Sequence, residues 1–239
     1  MQIVSAYYKI PSKKDHAFYM ENITRFFQFI DHQPILFFCD EETLPELHEL
    51  AGKNVEFCIQ DFRELDVLEE YPPEFWKRQI ELDPEPYHTW QLGALWANKK
   101  YFLERARQVH PERDWFVWVD AGCVRHNAWA YFTKEFTQRD RFQEPGVYVQ
   151  LLKETPPEEQ YFRFPAVHIA GAIILAHKDY IKLYIQEYNA TLDCYSALEI
   201  PATMDQYVMA SIQVPWVHKI LLPANERFPD DWFFFLAYI

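Results

Sequence analysis

Glycine is scarce: the chain of 239 residues has five. No GxGxxG, GxxxxGK[ST] or GxSxG string occurs. This removes the dinucleotide fingerprint, the P-loop and the nucleophile elbow from consideration. Cysteine is also sparse, at Cys39, Cys58, Cys123 and Cys194, and none forms a CxxC pair. Zinc is therefore not expected, and buried free thiols in a reducing, cytoplasmic compartment are. Basic residues are in deficit, with 23 Lys and Arg against 36 Asp and Glu and a net charge of −13. Sequence-independent binding to nucleic acid needs the opposite balance. A small anionic ligand needs only a local cationic pocket. No run of eighteen apolar residues is present, so no integral membrane segment is expected. The opening "MQIVSAYYKIPSKK" has neither a basic n-region nor a cleavage site, and reads as a first strand rather than a signal peptide.

What the chain does have is apolar and aromatic content, 49% and 18%, enough for a sizeable core. "QIVSAYY" (2–8), "PILFFCD" (34–40) and "NVEFCIQ" (54–60) are short, continuous strand-like runs. Between them, "AFYMENITRFFQFI" (17–30) and "ETLPELHELAG" carry helical spacing, the second stopped by Gly52. Such a β-α-β-α-β opening begins a parallel sheet with right-handed crossovers, and the unbroken apolar runs suit strands covered on both faces. Residues 61–90, with four prolines from Glu69 onward, predict an irregular surface excursion. "QLGALWANKKYFLERARQVH" (91–110) predicts one long helix, and "WFVWVD" (115–120) a fourth strand.

A loop and a helix-like segment over about 126–141 follow. "GVYVQLL" and "AVHIAGAIILAH" (166–177) then read as strands, "KDYIKLYIQEYNATLDCYS" and "MDQYVMASIQ" (204–213) as helices, and "WVHKILLP" (216–223) as a last strand. The expected fold is α/β, a single domain with a Rossmann-like, mostly parallel central sheet and helices on both faces. Residues 1–125 form a nucleotide-binding half and 126–239 a sugar and acceptor half. The sequence leaves the oligomeric state open.

Ligands of open α/β sheets bind beyond the carboxyl ends of the strands. Tyr8 and Lys9, Asp40 and Asp120 fall at such ends. Aspartate also terminates strands and caps helices with no further role. Asp120 is distinguished by Ala121-Gly122, which lets another group approach the backbone. In the long helix Lys99 lies within the arc of Leu92, Leu95, Trp96, Phe102 and Leu103, and Lys100 lies off it. A lysine on an apolar face needs an anionic partner, either Asp120 or a diphosphate. Gly171, inside a strand pattern, signals a bulge or a close approach. In a pocket it would leave room for a sugar. Asp205 suits a helix N-terminus, which leaves Gln206 without a task. His218, among Trp216, Val217 and Ile220, fits a buried structural histidine, as do His168 and His177. Tyr87, His88, Trp90, Trp118 and Trp129 read mostly as core, with an accessible subset able to stack on sugar rings.

"WFVWVDAG" resembles the strand that carries the DxD motif of GT-A glycosyltransferases, where a divalent cation and the diphosphate of a nucleotide sugar are held. "LWANKKYFLERA", "HIAGAIILAH", "ATMDQYVMASI" and "WVHKI" follow in the order of family 8-like transferases. "IVSAYYKIPSKK", "FFCDEE" and "WVDAGCVR" together look closest to the HtrL/YibB family, described as GT-A-like. The resemblance covers most of the chain, least at 61–90 and 126–165. It implies transfer of a sugar from a nucleotide-diphosphate sugar to a glycan or other hydroxyl acceptor. Asp120, Ala121 and Gly122 would lie at the diphosphate and ribose, with Lys99 neutralising phosphate and Tyr8, Lys9 and Asp40 bordering the nucleotide. Gly171, Asp205 and Gln206 would lie at the sugar, with Asp205 and Gln206 catalytic. Asp120 and His218 would hold manganese or magnesium.

Gly122 departs from the pattern, because the second DxD carboxylate is the usual metal ligand. Lys99 or Arg125 would then replace the metal electrostatically. That departure also supports a second reading, a non-catalytic glycan- or partner-binding module on a degraded GT-A fold. A nucleotidyltransferase is a third, weakened by the lack of glycine in "AYYKIPSKK".

Overall fold

A computed structural model describes residues 1–125, 142, 144–156, 159–222, 232–233 and 235. The helix-like segment expected over about 126–141, and Trp129 with it, lies outside them. The strands are β1 (Gln2–Ala6), β2 (Ile35–Cys39), β3 (Val55–Ile59), β4 (Trp115–Val119), β5 (Val147–Leu151), β6 (Ile169–His177) and β7 (Val217–Leu221). They form one seven-stranded sheet in the order β3-β2-β1-β4-β6-β5-β7. β1 pairs parallel with β2 and β4, β2 with β3, and β5 with β7, while β6 runs antiparallel to both β4 and β5. The sheet is thus mostly parallel, with one reversed strand, and the architecture is the expected α/β one.

Both faces are covered, as the continuous apolar runs require. Side chains alternate across a strand. Val4, Leu36, Phe38, Phe116 and Trp118 enter one core, while Ile3, Ile35, Phe37, Val117 and Val119 enter the other. The second core lies under α1 (His16–Phe29), which buries Met20, Ile23, Phe26 and Phe27, and under α2 (Leu44–Leu50), which buries Leu47. Asp15 caps α1, accepting from the Phe18 N–H at 2.9 Å.

Residues 61–90 are not the irregular excursion their prolines suggest. A 3-10 turn (Phe62–Glu64), α3 (Asp66–Glu70) and α4 (Pro73–Leu82) occupy most of the segment. Pro72 and Pro73 stand at the start of α4, where a helix has no use for the missing N–H. Leu65, Val67 and Trp76 are fully buried, so the segment is core.

The single helix expected over 91–110 is two, α5 (Trp90–Ala97) and α6 (Lys99–Val109), joined at Asn98. The Asn98 side chain accepts the buried Val67 N–H at 3.0 Å, which ties the joint to α3. Lys100 is not off the buried arc: it is 1% exposed. Its Nζ donates to the Ala97 carbonyl at 2.6 Å and lies over the rings of Tyr101 and Tyr188, at 4.4 and 4.3 Å. Tyr188 belongs to α7 (Ile181–Ala197), and a last short helix, α8 (Asp205–Ser211), packs on β6. Among the described residues no helix is long and apolar enough to cross a membrane.

Candidate active site

The strand order turns back at the β1–β4 pair, because the chain runs from β1 outward to β3 and returns to β4 on the other side. A crevice opens beyond the carboxyl ends of strands at such a point, and a cavity of about 600 Å³ lies there. One wall is the chain leaving β1, from Tyr7 to Lys14, with Phe18 and Tyr19 of α1. Beside it, with Lys13 over the Tyr87 ring, stand Tyr87, His88 and the α5 residues Leu92, Leu95 and Trp96. The floor is Lys99, Trp118, Asp120, Gly171, Asp205 and Gln206. Ala121, Gly122, Arg125, Trp232 and Phe233 close the rest.

The floor is organised by Lys99. Its Nζ lies 3.0 Å from Asp120 Oδ1 and 2.7 Å from Asp205 Oδ2, and donates to the Gly171 carbonyl at 2.8 Å. The Trp118 indole N–H donates to the same Asp120 Oδ1 at 2.7 Å. Burial works against the Lys99 charge, but Asp120 and Asp205 outweigh it and hold the ammonium above the ordinary lysine range. Burial raises the Asp205 carboxyl, against the pull of Lys99, and the Asp120 charge adds to the rise. One ammonium thus serves two carboxylates, and it is burial that raises Asp205. Asp205 is 3% exposed, whereas the Asp120 side chain is 32% exposed. Asp120 therefore presents its remaining oxygen, Oδ2, to the cavity.

Gly171 meets Asp205, and the space is not open for a sugar. A Cβ there would stand 2.7 Å from Asp205 Oδ1 and 2.8 Å from Gln206 Cγ. The glycine lets α8 seat against β6 and delivers Asp205 to Lys99. Gly122 is different: a Cβ would meet only Tyr19, at 3.5 Å, an ordinary contact. Gln206 lines the cavity. Tyr8 is 2% exposed and its hydroxyl has no partner. Burial raises its phenol well above the ordinary range, so it stands neutral in the wall.

Two residues grouped with these by sequence stand elsewhere. Asp40 does not line the cavity. Its Oδ1 accepts from the Thr43 N–H at 2.9 Å and the Thr43 hydroxyl at 2.7 Å, so it closes the turn into α2. His218 does not line it either. It pairs with Tyr148 across β5 and β7, and their rings stack at 4.4 Å.

The divalent cation implied by the DxD resemblance can be tested on the donor set. Asp120 and His218 are not brought together. One Asp120 oxygen is committed to Lys99 and Trp118, and an ammonium already bridges the two carboxylates. Among the described residues no group of three His, Cys, Asp or Glu side chains could hold a metal ion. These residues do not fit a divalent cation, and the floor's cation is Lys99.

The basic side chains of Lys9 and Arg125, both named from the sequence, stand around the cavity with those of Lys13 and Lys14, which were not. With Lys99 that makes five cations against two carboxylates, in a chain of net charge −13. Lys9 pairs with Glu42 at 3.5 Å, Lys13 lies 4.2 Å over the Tyr87 ring and Arg125 4.7 Å over Phe233. Tyr7 is hydrogen-bonded to His16 Nδ1 at 2.6 Å, and His16 Nε2 to Glu46 at 2.8 Å. The signal was present in "YYKIPSKKDH", where three lysines follow a strand end. It was obscured because a polar loop of that composition is usually only solvated.

No protein-family model matches the chain, and no curated protein matches it. Among solved structures, it is similar to mouse xyloside xylosyltransferase 1 in its apo form, at 12% identity over 92% of this chain and 85% of that one, with a TM-score of 0.49. A glycosyltransferase involved in glycosylation of the major capsid of PBCV-1 gives 14% identity over 91% and 81%, with a TM-score of 0.42. The 4-diphosphocytidyl-2C-methyl-D-erythritol synthase of Anaerococcus prevotii gives 10% over 99% and 95%, with 0.39. All three TM-scores fall below 0.5.

Proposed function

We propose that the chain is a GT-A-like glycosyltransferase, related to the HtrL/YibB family, that moves a sugar from a nucleotide-diphosphate sugar to a hydroxyl acceptor. The observation that carries this reading is the floor triad, Asp120–Lys99–Asp205, set beneath a rim of Lys9, Lys13, Lys14 and Arg125 at the strand ends. The leaving nucleoside diphosphate develops negative charge, and fixed cations stabilise it most as it forms. Lys13, Lys14 and Arg125 meet that charge from the rim. Lys99 stays charged because two carboxylates hold it, and it fixes Asp120 in one orientation. Asp120 Oδ2 accepts from ribose or sugar hydroxyls, and Gly122 leaves backbone space beside it. Gln206 offers its amide to the sugar. Tyr7, Tyr8 and Tyr19 form the aromatic wall against which the base rests. In this reading residues 1–125 supply the donor half and 126–239 the sugar and acceptor half.

Calorimetry with UDP-glucose, UDP-galactose and GDP-mannose, each with and without manganese, tests the reading. At least one donor should bind, with little dependence on manganese, and should slowly release nucleoside diphosphate. Asp120→Asn should weaken binding by about tenfold, the worth of one charge-assisted hydrogen bond. Absence of binding by all three would sink the reading. Binding without release, in the presence of glycan acceptors, would leave the alternative of a binding module without turnover.

A further inference from the structure

The wall formed by Tyr87, His88 and α5 holds a pair that the floor chemistry does not use. His88 Nδ1 lies 2.9 Å from Asp83 Oδ2, and both side chains are almost fully buried. The other Asp83 oxygen accepts the Glu85 N–H at 2.8 Å, and the His88 N–H donates to the Glu85 carbonyl at 3.1 Å. A turn of six residues therefore holds the carboxylate and the ring in fixed relation. A carboxylate at Nδ1 keeps the proton on that nitrogen and leaves Nε2 with its lone pair. His88 is one of the residues lining the cavity, and among the described residues Nε2 makes no hydrogen bond. Trp96 and Tyr87 set the ring edge-on, with centroids at 5.3 and 4.7 Å.

The pair precedes α5, which starts at Trp90 and packs on α8, the helix that begins with Asp205 and Gln206. Burial raises the Tyr207 phenol of α8 to about 12, with the charges of Asp83, Glu85 and Tyr87 adding to the rise. Asp205 itself is poorly placed to take a proton from an incoming group: Lys99 holds its Oδ2 and its Oδ1 sits against Gly171. The charged and titratable groups around His88 are Asp83 and Glu85 on its own turn, Tyr87 with Lys13 above its ring, and Tyr207 from α8.

We infer that His88, oriented by Asp83, is the base that accepts the proton of the acceptor hydroxyl. The inference rests on the transferase reading above. As the acceptor oxygen bonds to the anomeric carbon, the bond from that carbon to the diphosphate oxygen breaks, and its electron pair leaves with the nucleoside diphosphate. The acceptor proton passes to Nε2 and then to solvent. An oriented base of this kind is worth about 10²- to 10⁴-fold in rate.

The test is release of nucleoside diphosphate from the best-binding of UDP-glucose, UDP-galactose and GDP-mannose, with water as acceptor, across pH, using the full chain. The wild-type rate should climb with pH through one ionisation. His88→Gln should abolish that climb and lower the rate about 100-fold or more, with donor affinity within twofold of wild type. His88→Ala should be partly rescued by added imidazole. Asp83→Asn keeps the shape of the turn but donates to Nδ1, which places the proton on Nε2. It should lower the rate while the protein stays folded, so the assignment remains testable even if His88 variants fold poorly. A His88→Gln protein with wild-type rate and pH profile overturns the assignment while the transferase reading stands. Failure of the wild type to bind any donor removes both.

Discussion

Lys99 and Lys100 are neighbours in sequence with opposite electrostatic circumstances. Lys99 keeps its charge because Asp120 and Asp205 face it. Lys100 has aromatic rings and one carbonyl, and burial lowers it to about 7 although Glu70 and Asp66 pull the other way. An unfolded lysine titrates near 10.4. Between about pH 7 and 10.4 the unfolded chain therefore binds the proton and the folded one does not, and stability rises with pH across that window. Below about pH 7 both states hold it and the full penalty applies. Lys100→Met should stabilise the fold at pH 7 by about 0.5–2 kcal/mol and flatten the rise. Urea unfolding at pH 7 and pH 9.5 measures both effects.

Elements matter here through how closely they approach. α8 reaches β6 only because Gly171 has no side chain. Gly171→Ala should cost about 1–3 kcal/mol from overpacking, seen as a lowered urea midpoint. It should also weaken donor binding, because Asp205 Oδ1 is the nearest atom displaced. A proline-rich stretch reads as loop when each proline is counted as a breaker, yet Pro72 and Pro73 start a helix. The joint at Asn98 was equally hidden: nothing in "LWANKKYF" shows that Val67 needs an acceptor.

At the scale of the whole molecule the charge distribution is uneven. The chain carries −13, while its cavity is rimmed by lysine and arginine. Donor affinity should fall as salt rises from about 0.05 to 0.5 M, since the rim lysines are solvent-facing and screened. Replacing both Lys13 and Lys14 by Gln should weaken donor binding about tenfold, at roughly 0.5–1 kcal/mol for each exposed cation. It should also flatten the salt dependence, as calorimetry across the salt series would show. The acidic exterior opposes binding of nucleic acid, so a small anion meets attraction only at the mouth of the crevice.

Strand positions, helix periods and the α/β class were legible from sequence, because the period of apolar residues follows from covering two faces of a sheet. Asp120 at a strand end and Lys99 on an apolar face were legible for the same local reason. Which residues share a site was not. Asp40 and Asp120 end equivalent strands, but only Asp120 lies where the strand order turns back. Asp40 folds onto Thr43, and His218 stacks on Tyr148 at a distant pair of strands. The Asp83–His88 pair lay in a segment read as excursion, and His88 among aromatics read as core. A carboxylate and a ring five residues apart acquire meaning only when tertiary packing buries them together at the wall of a cavity.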